Sequence, residues 1–386
     1  MSGVSYTVVA PVNMAVIKYW GKRDEELIIP LNDSVSATLD TNVMCAKTTI
    51  YAGPDIIEDE MWLNGEKESI SSKRLQNCLR EIRQRATEEN SVNKNILNWN
   101  IRICSVNNFP TAAGLASSAA GYACLVAALA KLYNIKGDIS PIARIGSGSA
   151  CRSVYGGFVQ WHAGVEPSGK DSVATQIVRS SHWPEIRVII LVVGDKKKKT
   201  SSTNGMRTSA TTSDLLQHRI KHCVPNRTRD IIQAIKDRDF SKFGEITMKD
   251  SNQFHAICQD SFPPIAYLND ISQTIIQLVH NYNDACDKLN VAYTFDAGPN
   301  ACLFLLEPNV PQVLALISHI FPSSQPEQYF TGLKYPKVTL PNELISRITI
   351  PKQNVDLIKY VIITRVGEGP TEVTDSHLAN FTMGQS

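Results

Sequence analysis

The chain has 386 residues, a length that favours two domains, each with its own hydrophobic core. Its 39 lysines and arginines are balanced by 37 aspartates and glutamates, so no overall charge directs it to nucleic acid or to an acidic membrane. The nine cysteines form no Cys-x-x-Cys pair and follow no secretory segment, which is typical of buried thiols in a reducing compartment. The longest nearly apolar run, residues 119–130, is shorter than the roughly 20 residues that cross a bilayer. We therefore expect a cytoplasmic protein that binds neither nucleic acid nor membrane.

Predicted strands and helices alternate along the whole chain. The first half is predicted to hold strands at 6–10, 35–39, 43–51 and 98–106, an Asn-Gly hairpin turn within 62–66, and helices at 73–89 and 119–133. An almost unbroken apolar run at 186–193 predicts a buried strand, and it follows a segment rich in turn residues. The second half is predicted to hold helices at 212–222, 226–238, 241–258, 269–289 and 310–320, and strands at 291–296, 301–306 and 358–366. Both halves are therefore predicted α+β units, and we place the domain boundary between residues 185 and 186.

The first unusual segment is Asn108-Phe-Pro-Thr-Ala-Ala-Gly-Leu-Ala-Ser-Ser-Ala-Ala-Gly121, which joins a predicted strand to a predicted helix. Its small residues and hydroxyls bring unpaired backbone N–H groups to a helix N-terminus, where an anion such as a phosphate is attracted. It is not a Walker loop, because no Gly-x-x-x-x-Gly-Lys-[Ser/Thr] occurs in the chain. On the residues alone, a closely packed Ala/Ser-rich helix explains the segment equally well.

A second segment, Gly146-Ser-Gly-Ser-Ala-Cys-Arg152-Ser153, combines small residues and hydroxyls with one guanidinium. This combination suits a phosphate or a carboxylate. The alternative is a polar turn before a strand at 157–162.

A third segment, Asn13-Met-Ala-Val-Ile-Lys-Tyr-Trp-Gly-Lys-Arg23, gathers three cations, a phenol and an amide. Lysine binds a phosphate as a point charge, and arginine binds it through two parallel hydrogen bonds. Taken alone, a solvated basic turn is the better interpretation.

A fourth segment, Tyr293-Thr-Phe-Asp-Ala-Gly-Pro-Asn-Ala301, places Asp296 at a predicted strand end among apolar residues. Partial desolvation of a carboxylate is typical of functional sites. An Asp before Gly-Pro is also common turn chemistry.

Together the four segments resemble the signatures of the mevalonate diphosphate decarboxylase family, which is related to galactokinase, homoserine kinase and mevalonate kinase (GHMP kinases). The resemblance extends through most of the chain and includes Met248–Gln253 and Gly205–Ser209. It implies a two-domain α+β fold, with a ribosomal-protein-like N-terminal domain, a ferredoxin-like α/β sandwich as the C-terminal domain, and the active site in the cleft between them. It also implies a homodimer.

The resemblance further implies roles for individual residues. ATP phosphates would be bound by Asn108, Pro110, Ala113, Gly114, Leu115, Ala116, Ser117 and Ser118, with Ser117 near Mg²⁺. The substrate diphosphate would be bound by Tyr19, Lys22, Ser147, Gly148 and Ser149. Asn13 and Arg152 would face the carboxylate of the substrate, Asp296 would lie by its tertiary hydroxyl, and Lys18 would pair with charges in that centre. Ser202, or its neighbour Ser201, would close over the phosphates, and Asn107, Asn108 and Lys73 are possible adenine contacts.

The activity that the resemblance implies is the ATP-dependent decarboxylation of diphosphomevalonate to isopentenyl diphosphate. One alternative is a kinase that phosphorylates a mevalonate-type alcohol and stops. The related kinases tend to carry a catalytic aspartate where Ser149 stands, and here that carboxylate is moved to Asp296, which favours the decarboxylase. A second alternative, a nucleic-acid-binding module around the lysines at 196–199, is disfavoured by the balanced charge and the lack of an aromatic-basic pattern.

Overall fold

The computed structural model describes residues 3–92, 94–109, 117–194 and 199–376. Within these ranges the strands are β1 (Val4–Pro11), β2 (Asn13–Ile17), β3 (Lys22–Asp24), β4 (Ile29–Pro30), β5 (Ser34–Thr38), β6 (Cys45–Ala52), β7 (Glu60–Leu63), β8 (Glu66–Glu68), β9 (Ile101–Asn107), β10 (Phe158–Trp161), β11 (Ala174–Val178), β12 (Ile186–Val192), β13 (Val291–Phe295), β14 (Ala301–Leu306), β15 (Phe330–Gly332), β16 (Tyr360–Arg365) and β17 (Thr371–Val373). The α-helices are α1 (Lys73–Glu88), α2 (Lys94–Asn98), α3 (Ser117–Leu132), α4 (Ser140–Gly146), α5 (Ala150–Ser153), α6 (Ser202–Thr212), α7 (Asp214–His218), α8 (Val224–Asp237), α9 (Phe240–Asp260), α10 (Asp270–Ala285), α11 (Val310–Ile320), α12 (Pro326–Tyr329) and α13 (Asn342–Arg347). A π-helical turn, Arg219–Cys223, joins α7 to α8.

The first half contains two sheets with helices packed against them. One sheet has the strand order β17-β1-β6-β9-β7-β8, and the other has the order β11-β10-β5-β2. Helix α3 is apolar almost all round, and its alanines at 119, 120 and 123 are fully buried against β1 and β6. A helix without a polar face belongs in a core, which is why this one lies beneath the larger sheet.

The second half is built on one sheet of order β13-β14-β12-β16-β15, in which β12 is buried along its full length. Helices α9 and α10 pack on β13. The predicted apolar strand at 186–193 is therefore confirmed as a central strand of this sheet. The mixed α+β fold in two halves is confirmed as well.

Near its C-terminal end the chain returns from the second half to the first. Strand β17 pairs antiparallel with β1, so Thr371–Val373 completes the larger sheet of the first half. None of the helices within the described ranges combines the length and the apolar character that a membrane span requires.

Among the predicted elements that differ from the structure, two have a clear local cause. The helix expected at 212–222 is interrupted at Ser213, whose side chain accepts a hydrogen bond from the backbone N–H of Leu216 and so begins a new helix. The strand expected from residue 98 starts at Ile101, because α2 occupies Lys94–Asn98. The predicted Asn-Gly turn is confirmed, since Asn64 and Gly65 both have positive φ as a two-residue hairpin requires.

Candidate active site

A cavity of about 300 Å³ lies where the two halves meet. Its lining includes residues from both halves: Asn13, Ala15, Lys18, Tyr19, Trp20, Lys22, Ile28, Arg74, Ser117, Ser118, Ser147, Gly148, Ser149, Arg152, Ser202, Thr203, Met206, Phe254, Asp296 and Ala297. All four segments selected from the sequence thus contribute to this cavity, the first of them through Ser117 and Ser118 at the start of α3. Small residues and cations that lie far apart in the chain are therefore neighbours in the fold.

An ion pair between the two halves forms part of the cavity wall. Lys18 Nζ lies 2.6 Å from Asp296 Oδ1, and it also donates to the carbonyl of Ala15 at 2.8 Å. The Lys18 side chain is 3% exposed, whereas Asp296 keeps 31% of its side chain accessible from the cavity. The Asp296 carboxylate can therefore contact a ligand in the cavity while it keeps its ion pair with the Lys18 ammonium.

Arg152 lies on the wall of the same cavity and is only 3% exposed. Its Nε donates to Ser36 Oγ at 3.0 Å and to Asn13 Oδ1 at 3.3 Å, and its Nη1 donates to Ser34 Oγ at 2.7 Å. No carboxylate of the described residues lies within ion-pair distance of it. Burial lowers the pKa of the guanidinium from its usual value. An anionic ligand in the cavity would therefore find a fixed cation without a counterion.

Asn13 is held so that its amide contributes to the same wall. Its Nδ2 donates to Ser153 Oγ at 2.7 Å and to the Ser149 carbonyl at 3.0 Å, while its Oδ1 accepts from Arg152. Strand β2 and helix α5 are therefore joined through this side chain. The Ser34 and Ser36 contacts were not predicted, because two serines in a strand give no local signal.

Gly148 allows the Gly146–Ser153 segment to approach the aromatic residues of the cavity. A Cβ built on Gly148 would lie 2.9 Å from Trp161 and 3.0 Å from Tyr19. The Tyr19 and Trp161 rings are 4.7 Å apart and pack over this point. The hydroxyls of Ser147 and Ser118 lie 3.3 Å apart, so this segment meets the start of α3. Ser147, Gly148 and Ser149, for which the resemblance implies diphosphate binding, all line the cavity.

Two cations lie at the edge of the cavity. Lys22, which the sequence singled out, pairs with Glu25 at 2.7 Å. Arg74 on α1 was missed: it lines the cavity and forms no hydrogen bond or ion pair with any other described residue. Lys73, the neighbour that was suggested as an adenine contact, instead pairs with Glu26 at 2.9 Å with its side chain 72% exposed. The sequence does not reveal which of two adjacent basic residues on a helix faces inward.

A second cavity of about 300 Å³ lies on the other side of the α3 N-terminus. Its lining is mostly apolar: Met61, Leu63, Glu68, Ser69, Ser72, Leu75, Ile103, Ser105, Asn107, Ser117, Ser118, Gly121, Tyr122 and Leu125. Ser117 and Ser118 border both cavities. The Oδ1 atom of Asn107 is buried without a hydrogen-bond partner in the described part of the chain.

The other residues that the resemblance assigned to ATP binding do not line either cavity or are not described. Asn108 lines neither cavity: its Oδ1 accepts from the Cys45 N–H at 2.8 Å and its Nδ2 donates to the Val43 carbonyl at 3.2 Å. This side chain therefore ties the end of β9 to the strand beside it. Five further predicted residues lie outside the described residues: Pro110, Ala113, Gly114, Leu115 and Ala116.

The two adjacent serines at the start of α6 differ in what they do. The Ser201 hydroxyl accepts from the Asn204 N–H at 3.2 Å and caps the helix. Ser202 and Thr203 line the cavity. Of the two serines, Ser202 is therefore the one whose side chain borders the cavity. The predicted lysine run before it lies largely outside the described residues, which omit 195–198.

The described residues contain no group of three or more His, Cys, Asp or Glu side chains that could hold a metal ion. The cavity lining includes the hydroxyls of Ser117 and Ser118 and the carboxylate of Asp296. Mg²⁺ commonly takes only one or two protein oxygens and completes its shell with phosphates and water. The residues present therefore fit a magnesium ion that arrives with a nucleotide.

Comparisons with known proteins agree over almost the whole chain. The family model for a diphosphomevalonate decarboxylase-like N-terminal domain matches residues 10–174, and that for a mevalonate 5-diphosphate decarboxylase C-terminal domain matches residues 188–373. Diphosphomevalonate decarboxylase of Danio rerio is 52% identical over 375 residues, covering 96% of this chain and 94% of its own.

Solved structures give the same result. Mevalonate diphosphate decarboxylase from Trypanosoma brucei has a TM-score of 0.88 at 39% identity, covering 97% of this chain and 99% of its own. A complex of MDDEF with MVAPP, AMPPCP and magnesium has a TM-score of 0.73 at 28% identity, covering 96% and 99%.

The two α+β halves with a polar cavity between them define a small-molecule kinase fold of the GHMP class. Within that class, the chain belongs to the mevalonate diphosphate decarboxylase family.

Proposed function

We propose that this protein catalyses the ATP-dependent decarboxylation of (R)-5-diphosphomevalonate, yielding isopentenyl diphosphate, ADP, phosphate and carbon dioxide. The observation that carries the proposal is Arg152, a buried cation without a carboxylate partner among the described residues, in the same cavity as Asp296. A substrate with a carboxylate and an alcohol matches this pair. Family membership and the ligands of the MDDEF complex support the same activity.

The two cavities suit the two anionic substrates. ATP would place its adenosine in the apolar cavity, where the unpartnered Asn107 oxygen can accept a hydrogen bond. Its phosphates would lie at Ser117 and Ser118, where the N-terminus of the 16-residue helix α3 attracts negative charge. The substrate diphosphate would be bound by Tyr19, Lys22, Ser147, Gly148 and Ser149, which line the polar cavity, and by Arg74, which the sequence did not single out. Ser202 would close over the phosphates and exclude water.

The proposed reaction begins with transfer of the γ-phosphoryl group to the tertiary hydroxyl. The Asp296 carboxylate accepts the hydroxyl proton, and Lys18 orients that carboxylate. Phosphate then leaves with the electron pair of the C–O bond, and the electrons of the breaking C–C bond form the alkene as carbon dioxide departs. Arg152 and Asn13 hold the carboxylate in line for this loss. A negative Asp296 also suits the cationic carbon that develops.

Magnesium bound with ATP at Ser117 would neutralise phosphate charge during the transfer. The contribution of this chain is to place the hydroxyl of Ser117, and of its neighbour Ser118, at the junction of the cavities.

The direct test is incubation with diphosphomevalonate, ATP and Mg²⁺ while ADP and carbon dioxide are measured together. We expect equal amounts of both products. ADP without carbon dioxide would instead support the alternative, a kinase that stops at the phosphorylated alcohol.

The variant Asp296→Asn tests the proposed role of the Asp296 carboxylate as general base. Removing a general base typically costs about 10²–10⁴-fold in rate, so we expect both products to fall together. Asp375→Asn is the control, because its carboxylate is 84% exposed and pairs with Lys47 outside the cavity. Full activity of Asp296→Asn would remove the carboxylate from the proposed mechanism.

We also propose a domain division at residues 185 and 186, supported by the separate sheets on each side. Limited proteolysis followed by mass determination would locate the boundary. Because strand β17 of the C-terminal fragment pairs with β1, we expect the two fragments to stay associated until they are denatured.

The homodimer and the cytoplasmic location are further proposals, and both are supported by the resemblance to the family. Light scattering of the purified protein should give twice the mass of the 386-residue chain. Cell fractionation should recover the protein in the cytosol. A monomer by light scattering would contradict the first proposal, and recovery in an organelle the second.

A further inference from the structure

A fully buried ion pair lies behind the backbone of Lys18. Arg219 and Asp250 are both 0% exposed, with Nη1 2.6 Å from Oδ1 and Nη2 2.7 Å from Oδ2. Neither side chain lines the cavity. Burying two charges costs desolvation energy that their attraction often only offsets, so such a pair is weak support for stability as such. The contacts of the pair indicate a different role.

The pair binds both polar backbone groups of Lys18. Asp250 Oδ2 accepts from the Lys18 N–H at 3.0 Å, and Arg219 Nη2 donates to the Lys18 carbonyl at 3.0 Å. Lys18 belongs to the first half of the chain, whereas Arg219 and Asp250 belong to the second. The backbone that carries the Lys18 ammonium is therefore fixed to the half that supplies Asp296.

The same helix also holds the strand that ends at Asp296. Ser251, which follows Asp250 on α9, accepts a hydrogen bond at its Oγ from the Phe295 N–H at 3.0 Å. Two consecutive residues of one helix thus bind the backbone of Lys18 and the backbone next to Asp296. Because a helix is rigid over so short a distance, the separation of the ammonium and the carboxylate is set by α9.

The local structure around Arg219 is specialised. It opens the π-helical turn Arg219–Cys223, and such turns are rare and occur often at functional sites. Gln253 Oε1 accepts from Arg219 Nη1 at 3.0 Å and from Arg227 Nη1 at 2.6 Å, so the guanidinium is held from a further direction.

We propose that Arg219 and Asp250 are positioning residues, which hold the Lys18 backbone across the two halves and thereby place its ammonium against Asp296. The inference rests on the decarboxylation proposed above, in which Asp296 accepts the hydroxyl proton. A misplacement of one ångström at a reacting centre can cost about 10²-fold in rate, whereas ligand binding by other residues is spared.

The test uses Arg219→Lys and Asp250→Glu, which keep each charge but change its reach. In the full-length protein we expect kcat to fall by about tenfold or more, while the Kd for diphosphomevalonate, measured by equilibrium dialysis, stays within about threefold. Arg365→Lys is the matched control, because Arg365 Nε pairs with Asp40 Oδ2 at 2.8 Å, also between the halves but away from Lys18. Its kcat should not change.

Thermal unfolding of each variant separates positioning from folding. Gln253→Met is a milder variant: it removes an acceptor of Arg219 at a half-buried position, and it should lower kcat in the same selective way with a small change in Tm. Unchanged kcat in folded Arg219→Lys and Asp250→Glu, or equal losses in kcat and in binding, would overturn the inference. If wild-type protein released neither ADP nor carbon dioxide, the proposed function would fail instead, so the two failures are distinguishable.

Discussion

Among individual residues, the cations around the cavity differ in how their charge is compensated. Lys18 has Asp296 at 2.6 Å, Lys22 has Glu25 at 2.7 Å, and Arg219 has Asp250 at 2.6 Å. Arg152 is as buried as these residues, yet its donors reach only hydroxyl and amide oxygens within the described part of the chain. Because a buried charge without an ion-pair partner is costly, a site that retains one is suited to an anionic ligand.

Arg152→Lys should therefore lose far more rate than binding. A lysine keeps the charge, but it cannot reproduce the fork that Ser34, Ser36 and Asn13 hold in place. We expect kcat to fall by about 10²-fold with the Kd for diphosphomevalonate changed by less than about fivefold. Single-turnover kinetics and equilibrium dialysis measure the two quantities.

Arg23→Lys is the control for this variant, since Arg23 is exposed and, among the residues that the structure describes, donates only to the carbonyls of Ala163 and Glu166. An unchanged turnover number in Arg152→Lys would refute the role assigned to the guanidinium.

We expect His255 to make the stability of the protein depend on pH. Burial, and then the charge of Lys18, lower the pKa of its imidazole from 6.5 to about 3. Between these values the unfolded chain binds a proton that the folded chain does not, so stability falls as the pH drops below 6.5 and is regained as the pH rises. The loss amounts to about 2 kcal/mol by about pH 5.

His255→Gln removes this titration, so its free energy of unfolding should change less between about pH 7.5 and about pH 5. Urea unfolding of both proteins at the two pH values measures the difference. Equal pH dependence in wild type and variant would show that another group is responsible.

At the scale of elements, the N-terminal part of α3 serves both interpretations that the sequence left open. Ala119, Ala120 and Ala123 are fully buried against the sheet, as expected for close packing. Ser117 and Ser118 border the two cavities, as expected for an anion site. Small residues therefore occur on opposite faces of one helix for different reasons.

Substitution of one glycine at each cavity should show which ligand binds in which cavity. In Gly148→Ala, a Cβ within 3.0 Å of Tyr19 and Trp161 must displace the aromatic pair, so the Kd for diphosphomevalonate should rise by about tenfold while ATP binding is retained. In Gly121→Ala the new Cβ meets nothing within 4 Å but enters the apolar cavity.

We therefore expect Gly121→Ala to weaken ATP binding and spare diphosphomevalonate, with a gain in helix stability of up to about 1 kcal/mol. Calorimetric titration of each variant with ATP and with diphosphomevalonate measures the four Kd values. If both glycine variants weakened the same ligand, the assignment of one ligand to each cavity would be wrong.

At the scale of the whole molecule, the two halves are connected at several separate places. The Arg219–Asp250 pair binds Lys18, Asp40 pairs with Arg365 at 2.8 Å, and β17 pairs with β1. The polar cavity is lined from both sides of this interface. A ligand that fills it contacts both halves at once and should stabilise them together.

Diphosphomevalonate at one hundred times its Kd should raise the free energy of unfolding by about 2.7 kcal/mol. We expect both halves to unfold in a single calorimetric transition that moves as a whole, because the ligand contacts both. Inorganic phosphate at the same concentration is the control, since it lacks the carboxylate and the alcohol. Two transitions, of which only one moves, would place the ligand within one half.

Local hydrophobic pattern predicted much of the fold, and the resemblance to the family pointed to many of the residues that line the cavity. Strands such as β12 and helices such as α3 follow from local hydrophobic pattern, and the segments around Lys18 and Arg152 stand out as clusters of cations with small residues. Arg74 could not be predicted in this way, because an isolated arginine on a helix has the same pattern as a solvated one.

The sequence by itself determined the α+β class, the family, and the short segments selected as candidate binding sites, because each of these depends on residues close together in the chain. Only the tertiary structure decided which side chains share a cavity, that Ser202 rather than Ser201 faces it, and that Asp250 and Arg219 hold Lys18. The physical reason is that burial and hydrogen-bond partners are set by packing between residues more than 200 positions apart, such as Lys18 and Asp250.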